Sequence, residues 1–279
     1  IVANVISANG LTGVRTMGAG ASGNVVLGNK IGTDLNGTAP LGNTFDGAFL
    51  NGSPGNTVAR NVISANGASG LQIFGTAASG NRVQFKSTSF EDLVDAPVYA
   101  GRYSKSIELA TGVRLNMFGD TEAALNLPPE LIAKFSAMTK AVPQLFRSRH
   151  YRHFDFLMSL SDVMISGGGV EHQESTEINV SASYAQDAGE QALMANLVAH
   201  GFIHSWNGRT RQPTDLWTPN LNLPMRGSLL WVYEGQTEFW AHVMTPRLGL
   251  RTMQQALDAL AVDASLMANR PGRAWKSLQ

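Results

Sequence analysis

Two histidines in the second half of the sequence have the spacing of a metal site. His200 and His204 lie four residues apart, so on one helix their imidazoles project from the same face. Two histidines placed in this way can bind one zinc ion and leave room for a third ligand and a water molecule. Taken alone, the spacing is more typical of histidines packed in a core.

Two glutamates further along the chain change that interpretation. Glu234 lies in the segment Trp231-Val232-Tyr233-Glu234-Gly235, where a helix is predicted, and its carboxylate can complete a His₂Glu set from a facing helix. Glu238 lies one turn later on the same side of the predicted helix, and Trp231 and His242 share that side. These side chains could hold the ligands in place through hydrogen bonds.

The elements that must position these residues belong to a mixed domain of helices and strands. Leu193 and Leu197 continue the stripe of the two histidines, which predicts that this helix face points inward. Pro128-Pro129-Glu130 should begin an earlier helix, which Pro143 should end or kink. Helices are predicted over residues 189–206, 228–245 and 251–268, and strands over 106–110, 113–118 and 154–160.

The composition excludes several classes of function. The chain has 279 residues, no cysteine, and 21 basic against 21 acidic residues, hence zero net charge. The absence of cysteine excludes disulfides, thiol catalysis and zinc held by cysteine. The balanced charge favours neither nucleic acid nor an anionic membrane as a partner, and no apolar run reaches the roughly 20 residues needed to span a bilayer.

The first 85 residues have a different composition from the rest. They hold 16 of the 29 glycines and 11 asparagines but only six charged side chains, which predicts a domain boundary near residues 84–87. The heptapeptide Asn-Val-Ile-Ser-Ala-Asn-Gly occurs at residues 4–10 and again at 61–67. Short β-prone runs between such turns predict a right-handed parallel β-helix over residues 1–85, with ladders of stacked asparagines. A disordered Gly/Asn linker is the alternative.

The remainder of the chain, residues 86–279, resembles the glycyl aminopeptidase family of zinc metallopeptidases, a thermolysin-like gluzincin group. The resemblance implies an α+β metallopeptidase domain, here incomplete, whose zinc ligands are His200, His204 and Glu234. The segments that carry it are residues 90–98, 156–162, 169–172, 204–220, 229–237 and 270–275.

The resemblance also implies a substrate site for peptides with a free N-terminus. It places Gly169, Glu171 and His172 beside the substrate, where the Glu171 carboxylate can hold the α-ammonium group. Without the resemblance, Glu171 would be interpreted as a surface charge at a strand end. For His172, a purely structural hydrogen-bonding role is equally open.

One position departs from the family pattern. The family carries His-Glu-x-x-His, whose glutamate is the general base, whereas this chain has Gly201 there. Losing a positioned general base removes on the order of 10² to 10⁴ in rate. The family also has more sequence on both sides of the matched part. A chain that begins at Ile1 without a signal peptide is therefore expected to be a natural fusion, a decayed gene or a mis-joined fragment.

Three functions follow as hypotheses. The first is a zinc aminopeptidase that releases small N-terminal residues (Gly or Ala) by attack of water at zinc, impaired by Gly201. The second is a pseudoenzyme that binds zinc and peptide ends without turnover. The third is a structural surface protein in which the β-helix is the working part. The composition favours an exported bacterial protein, periplasmic or extracellular, and carries no signal for oligomeric state.

Overall fold

Residues 1–84, 95–99, 103–164, 166–208, 210–218 and 222–274 are described by the structure, a computed structural model. The chain divides into two units, Ile1–Val94 and Asp95–Gln279. The predicted boundary after Gln84 and, of the segments that carry the resemblance, residues 90–94, 209, 219–220 and 275 lie outside the described residues. Within the described part of the chain, no helix has the length and apolarity to cross a membrane.

The first unit contains short parallel strands in three sheets. Strands that follow one another along the chain join different sheets in turn, so each sheet takes every third strand. The strands of residues 1–84 are β1 (Val5–Ile6), β2 (Val14–Met17), β3 (Val25–Leu27), β4 (Lys30–Ile31), β5 (Ala48–Asn51), β6 (Thr57–Ala59), β7 (Val62–Ile63), β8 (Leu71–Phe74) and β9 (Arg82–Gln84). The sheet orders are β1-β4-β7, β2-β5-β8 and β3-β6-β9.

Asparagine side chains connect successive strand layers of the first unit, as predicted. The Asn56 side-chain oxygen accepts hydrogen bonds from the backbone N–H of Asn24, at 2.8 Å, and from its side-chain amide, at 3.0 Å. Asn81 does the same for the backbone N–H of Asn56, at 2.7 Å. Buried amides satisfied in this way supply partners for turn N–H groups that no strand can reach. Further ladders join Asn4, Asn29 and Asn61, and Asn9, Asn43 and Asn66.

The turns of the heptapeptide place an alanine in the left-handed backbone region. Ala8 and Ala65, not the Asn-Gly pairs that follow them, have the left-handed backbone, with φ of 56° and 58°. Alanine adopts this region at a cost that glycine avoids, so the surrounding hydrogen bonds must impose it. Repetition of the same conformation in both copies shows that the sequence repeat is also a structural repeat.

The second unit is built on one mixed five-stranded sheet. Its strands are β10 (Tyr103–Ala110), β11 (Val113–Gly119), β12 (Phe154–Leu160), β13 (Gly168–Glu171) and β14 (Ser175–Val180), in the order β10-β11-β12-β14-β13. β11, β12 and β14 are parallel, whereas β10 and β13 are antiparallel edge strands. Alternate residues of β11 and β14 are buried, because one face of the sheet packs on helices.

Four α-helices complete the described part of this unit, and the whole chain is therefore a mixed α/β protein. They are α1 (Pro129–Phe146), α2 (Ala188–Ile203), α3 (Gln236–Arg247) and α4 (Met253–Ala268), and a π-helix, Trp231–Gly235, runs directly into α3. Asp187 begins α2 by accepting hydrogen bonds from the N–H groups of Gly189 and Glu190, at 2.8 and 3.0 Å.

Pro143 lies inside α1 and does not end it. The helix continues to Phe146 and ends where Arg147 takes the left-handed backbone at φ 50°. A proline in the last turn removes only one backbone hydrogen bond, and Val142 beside it is completely buried. Of the two outcomes expected at Pro143, an end or a kink, the helix does not end there.

Candidate metal centre

Three side chains from two neighbouring segments converge at the C-terminal half of α2. His200 lies in the last turn of α2, His204 directly follows that helix as its C-cap residue, and Glu234 lies on the π-helix before α3. The Nε2 atoms of the two histidines are 2.7 Å apart, and each is 3.2 Å from Oε2 of Glu234. The helical spacing of four brings the two rings together, and the wider π-helical turn presents the carboxylate to both.

Each histidine is held in place by a contact of its Nδ1 atom, the ring nitrogen that faces away from Glu234. His200 Nδ1 lies 2.8 Å from Oε2 of Glu238, and His204 Nδ1 donates to the backbone carbonyl of Asn207 at 3.1 Å. Each of these contacts fixes a ring orientation and leaves Nε2 directed at Glu234. The structure thus brings the expected supporting residue, Glu238, to His200.

The centre is buried on one side and open on the other. The His204 side chain is 1% exposed, whereas that of Glu234 is 48% exposed. Burial lowers the pKa of His200, but the hydrogen bond and charge of Glu238, with the charge of Glu234, outweigh it and raise the pKa overall. Burial and the positive charge of His200 lower the pKa of His204, so its ring favours the neutral form that a metal ion requires.

The donor set fits a divalent metal ion. Bonds of about 2.0–2.2 Å place neighbouring ligand atoms of a tetrahedral zinc ion roughly 3.3 Å apart, close to the distances from Glu234 to the two rings. Two imidazoles and one carboxylate leave a coordination position open to solvent, which is the pattern of catalytic rather than structural sites. His200, His204 and Glu234 could therefore hold a metal ion together.

Gly201 is packed against the sheet, between the two histidines of α2. A Cβ atom at this position would lie 2.3 Å from Oγ1 of Thr176, on strand β14, which is far inside van der Waals contact. Thr176 is itself buried, and its hydroxyl donates to the carbonyl of Val170 at 3.3 Å. In this structure the surroundings of residue 201 therefore leave no room for a side chain.

Glu171 reaches the same region from the end of the edge strand β13. The Tyr233 hydroxyl donates to Oε1 of Glu171 at 2.5 Å, and the Tyr233 ring lies 4.7 Å from the His204 ring, centroid to centroid. Gly169, in the same strand, lets the backbone lie close to strand β14, because a Cβ atom there would lie 2.7 Å from the carbonyl oxygen of Glu177. Glu171 is thus connected to His204 through a single intervening side chain, that of Tyr233.

His172 belongs to a separate cluster of charges. Its Nδ1 lies 3.1 Å from Asp95 and its Nε2 lies 3.0 Å from Glu177, which also accepts a hydrogen bond from Tyr99. The ring is nearly buried between the two carboxylates. Of the two roles open for His172, these contacts favour the structural one.

We expect His172 to make the unfolding of the second unit depend on pH. Burial lowers its pKa, but hydrogen bonds and charges from Asp95 and Glu177 outweigh this, so the pKa is raised in the folded state. The resulting stabilisation is fully present below the unfolded value of about 6.5 and is lost as the pH rises through the folded value. The difference in urea stability between wild type and His172→Gln should therefore shrink from pH 6 to pH 9. A His172→Gln difference that stays constant from pH 6 to pH 9 would contradict the assignment.

Several residues of the centre carry no signal in the sequence, and one expectation is wrong. Asn207 acts through its backbone carbonyl, and Thr176 and Tyr233 act through contacts between distant segments, so residue type alone does not identify them.

Leu193 was expected to face inward with the histidines, but it is 65% exposed. It lies in the first half of α2, and the buried residues of that helix all come after it.

Part of the chain is similar to known proteins. Residues 193–279, which include His200, His204, Glu234 and Glu238, match the M61 glycyl aminopeptidase family. Among solved structures, the chain is similar to an aminopeptidase N family protein from Idiomarina loihiensis, with 20% identity and a TM-score of 0.47. That match covers 55% of this chain and 27% of the other. A search of curated proteins finds no match.

Proposed function

We propose that the unit Asp95–Gln279 is a zinc-binding, aminopeptidase-like domain for peptides with a free N-terminus and a small first residue. The observation that carries the proposal is the convergence of His200, His204 and Glu234, with all three ligand atoms within 3.2 Å of one another. The family match over residues 193–279 supports the same class of function.

Different groups at this centre would bind different parts of the peptide. When bound, zinc would polarise the carbonyl group of the first peptide bond and lower the pKa of a coordinated water molecule. Glu171 would hold the α-ammonium group of the peptide through a charge-assisted hydrogen bond, which sets the register of the chain at its first residue. Tyr233 holds the Glu171 carboxylate at 2.5 Å and thereby fixes its position.

Peptide cleavage by this domain should be slow, because residue 201 has no side chain to accept a proton. A missing general base costs on the order of 10² to 10⁴ in rate. Gly201 therefore also favours a second candidate function, a pseudoenzyme that binds zinc and peptide ends without turnover.

For the unit Ile1–Val94 we propose a structural role as a right-handed parallel β-helix. Each of its three sheets takes every third strand, and the asparagine ladders link successive layers. A stack of this kind, rich in asparagine and glycine, fits an exported bacterial protein.

Zinc content tests the proposed metal centre directly. The purified full chain should bind zinc, and His204→Ala should bind one equivalent less, because His204 supplies the most deeply buried of the three ligands. Inductively coupled plasma mass spectrometry of dialysed protein gives the ratio of zinc to chain. His153→Ala is the matched control, since that side chain is 61% exposed and lies outside the centre. Equal zinc in wild type and His204→Ala would overturn the proposal.

A further inference from the structure

A second group of potential ligands lies behind the metal centre. Glu238 and His242 are four residues apart on α3, and Asp263 approaches them from α4. His242 Nε2 lies 2.9 Å from Oε1 of Glu238 and 3.3 Å from Oδ2 of Asp263. The three ligand atoms all lie within 4.8 Å of one another.

His242 is the unusual member of this group. Its side chain is 7% exposed, and neither ring nitrogen has a hydrogen-bond partner among the described residues. The two carboxylate oxygens lie close to Nε2, but neither contact has the geometry of a hydrogen bond. A buried polar group without a hydrogen bond is costly, so an additional atom between the ring and the two oxygens would relieve this cost.

The distances and donor types indicate what that atom is. Neighbouring ligands of a tetrahedral ion with bonds of about 2.0–2.2 Å are roughly 3.3 Å apart, and the two contacts of His242 lie near this value. One imidazole nitrogen and two carboxylate oxygens suit a first-row divalent transition metal ion. Asp263 is 54% exposed, which leaves a route from solvent.

The remaining polar contacts of the group are compatible with a cation. Glu238 binds His200 through its other oxygen, at 2.8 Å, and its Oε1 also accepts a hydrogen bond from Asn196. Arg251 is buried nearby and donates to backbone carbonyls of α2. Burial lowers the pKa of Arg251, and the charges of Glu238 and Asp263 oppose that shift. Two carboxylates and one guanidinium leave a net negative charge, which attracts a divalent ion.

We propose that Glu238, His242 and Asp263 form a second metal site for an ion of the Zn²⁺ class. Glu238 connects it to the first centre, because one of its oxygens contacts His200 and the other faces the second site. The proposal depends only on this group of residues and not on the proposed peptidase function. A protonated His242 held between two carboxylates, with no metal ion, is the arrangement that the experiment must exclude.

Counting zinc in four forms of the full chain tests the proposal. Wild type should bind two equivalents, Asp263→Asn and His204→Ala one each, and the double variant none. Asp258→Asn is the matched control on α4: that carboxylate is exposed, accepts a hydrogen bond from Gln254, and should leave two equivalents in place. Circular dichroism of each variant establishes that it folds.

Cobalt substitution supplies a second measurement. In His204→Ala, Co²⁺ should give visible absorption bands from the second site alone, and Asp263→Asn added to it should abolish them. One zinc equivalent in both wild type and Asp263→Asn, with no cobalt spectrum in His204→Ala, would overturn the second site. One equivalent in wild type that survives His204→Ala but not Asp263→Asn would instead support it and overturn the first centre.

Discussion

The double variant Gly201→Glu/Thr176→Ala is expected to hydrolyse an alanyl or glycyl anilide at least about 100-fold faster than wild type, because it restores a general base. Gly201→Glu alone should recover much less. Its Cβ atom would lie 2.3 Å from the Thr176 hydroxyl, and this contact would push α2 away from the sheet. Removing the hydroxyl leaves the new Cβ atom 3.3 Å from Cβ of residue 176, which a shift of a few tenths of an ångström relieves.

Initial rates at matched zinc content measure this effect, and two controls identify its cause. Gly201→Gln/Thr176→Ala has nearly the same shape as the active double variant but cannot accept the proton, so it should stay at the wild-type rate. Thr176→Ala alone should also stay there. Rescue by Gly201→Glu alone, to the level of the double variant, would show that Thr176 rotates freely and that its contact does not shape the site. No rescue in either would favour the pseudoenzyme.

The parts of the site that the sequence predicts are those determined by local geometry. His200 and His204 share a helix face through their spacing alone, and Glu238 follows Glu234 by one helical turn. The strands at residues 106–110, 113–118 and 154–160 are all present, because alternating or continuous apolar runs of this length favour strands with one or both faces buried. The mixed α/β character of the chain follows from the same patterns.

The parts that the sequence does not predict depend on packing between distant segments. Thr176 and Gly201 meet only because α2 lies against β14, and nothing in either residue type indicates the contact. Asp263 belongs to a helix whose side chains are mostly exposed, and only the approach of α4 to α3 brings it to His242. Asp95 reaches His172 across 77 residues of sequence.

Phe202→Ala should destabilise the second unit by about 3–5 kcal/mol, the usual cost of removing a buried aromatic side chain. Phe202 lies on α2 between the two metal-centre histidines and is completely buried. Its ring packs on Phe154 and Phe156 of the sheet, at centroid distances of 4.9 and 5.3 Å, and on Trp206, at 5.2 Å. The side chain therefore anchors the helix that carries His200 and His204 to the sheet.

Tryptophan fluorescence during urea unfolding measures this loss in the second unit alone, because all five tryptophans lie after residue 85. Leu193→Ala is the control on the same helix: its side chain is 65% exposed, so the free energy of unfolding should change by no more than about 0.5 kcal/mol. A loss below about 1 kcal/mol for Phe202→Ala would mean that α2 is held by other contacts. In that case the geometry of the metal centre would not depend on this aromatic cluster.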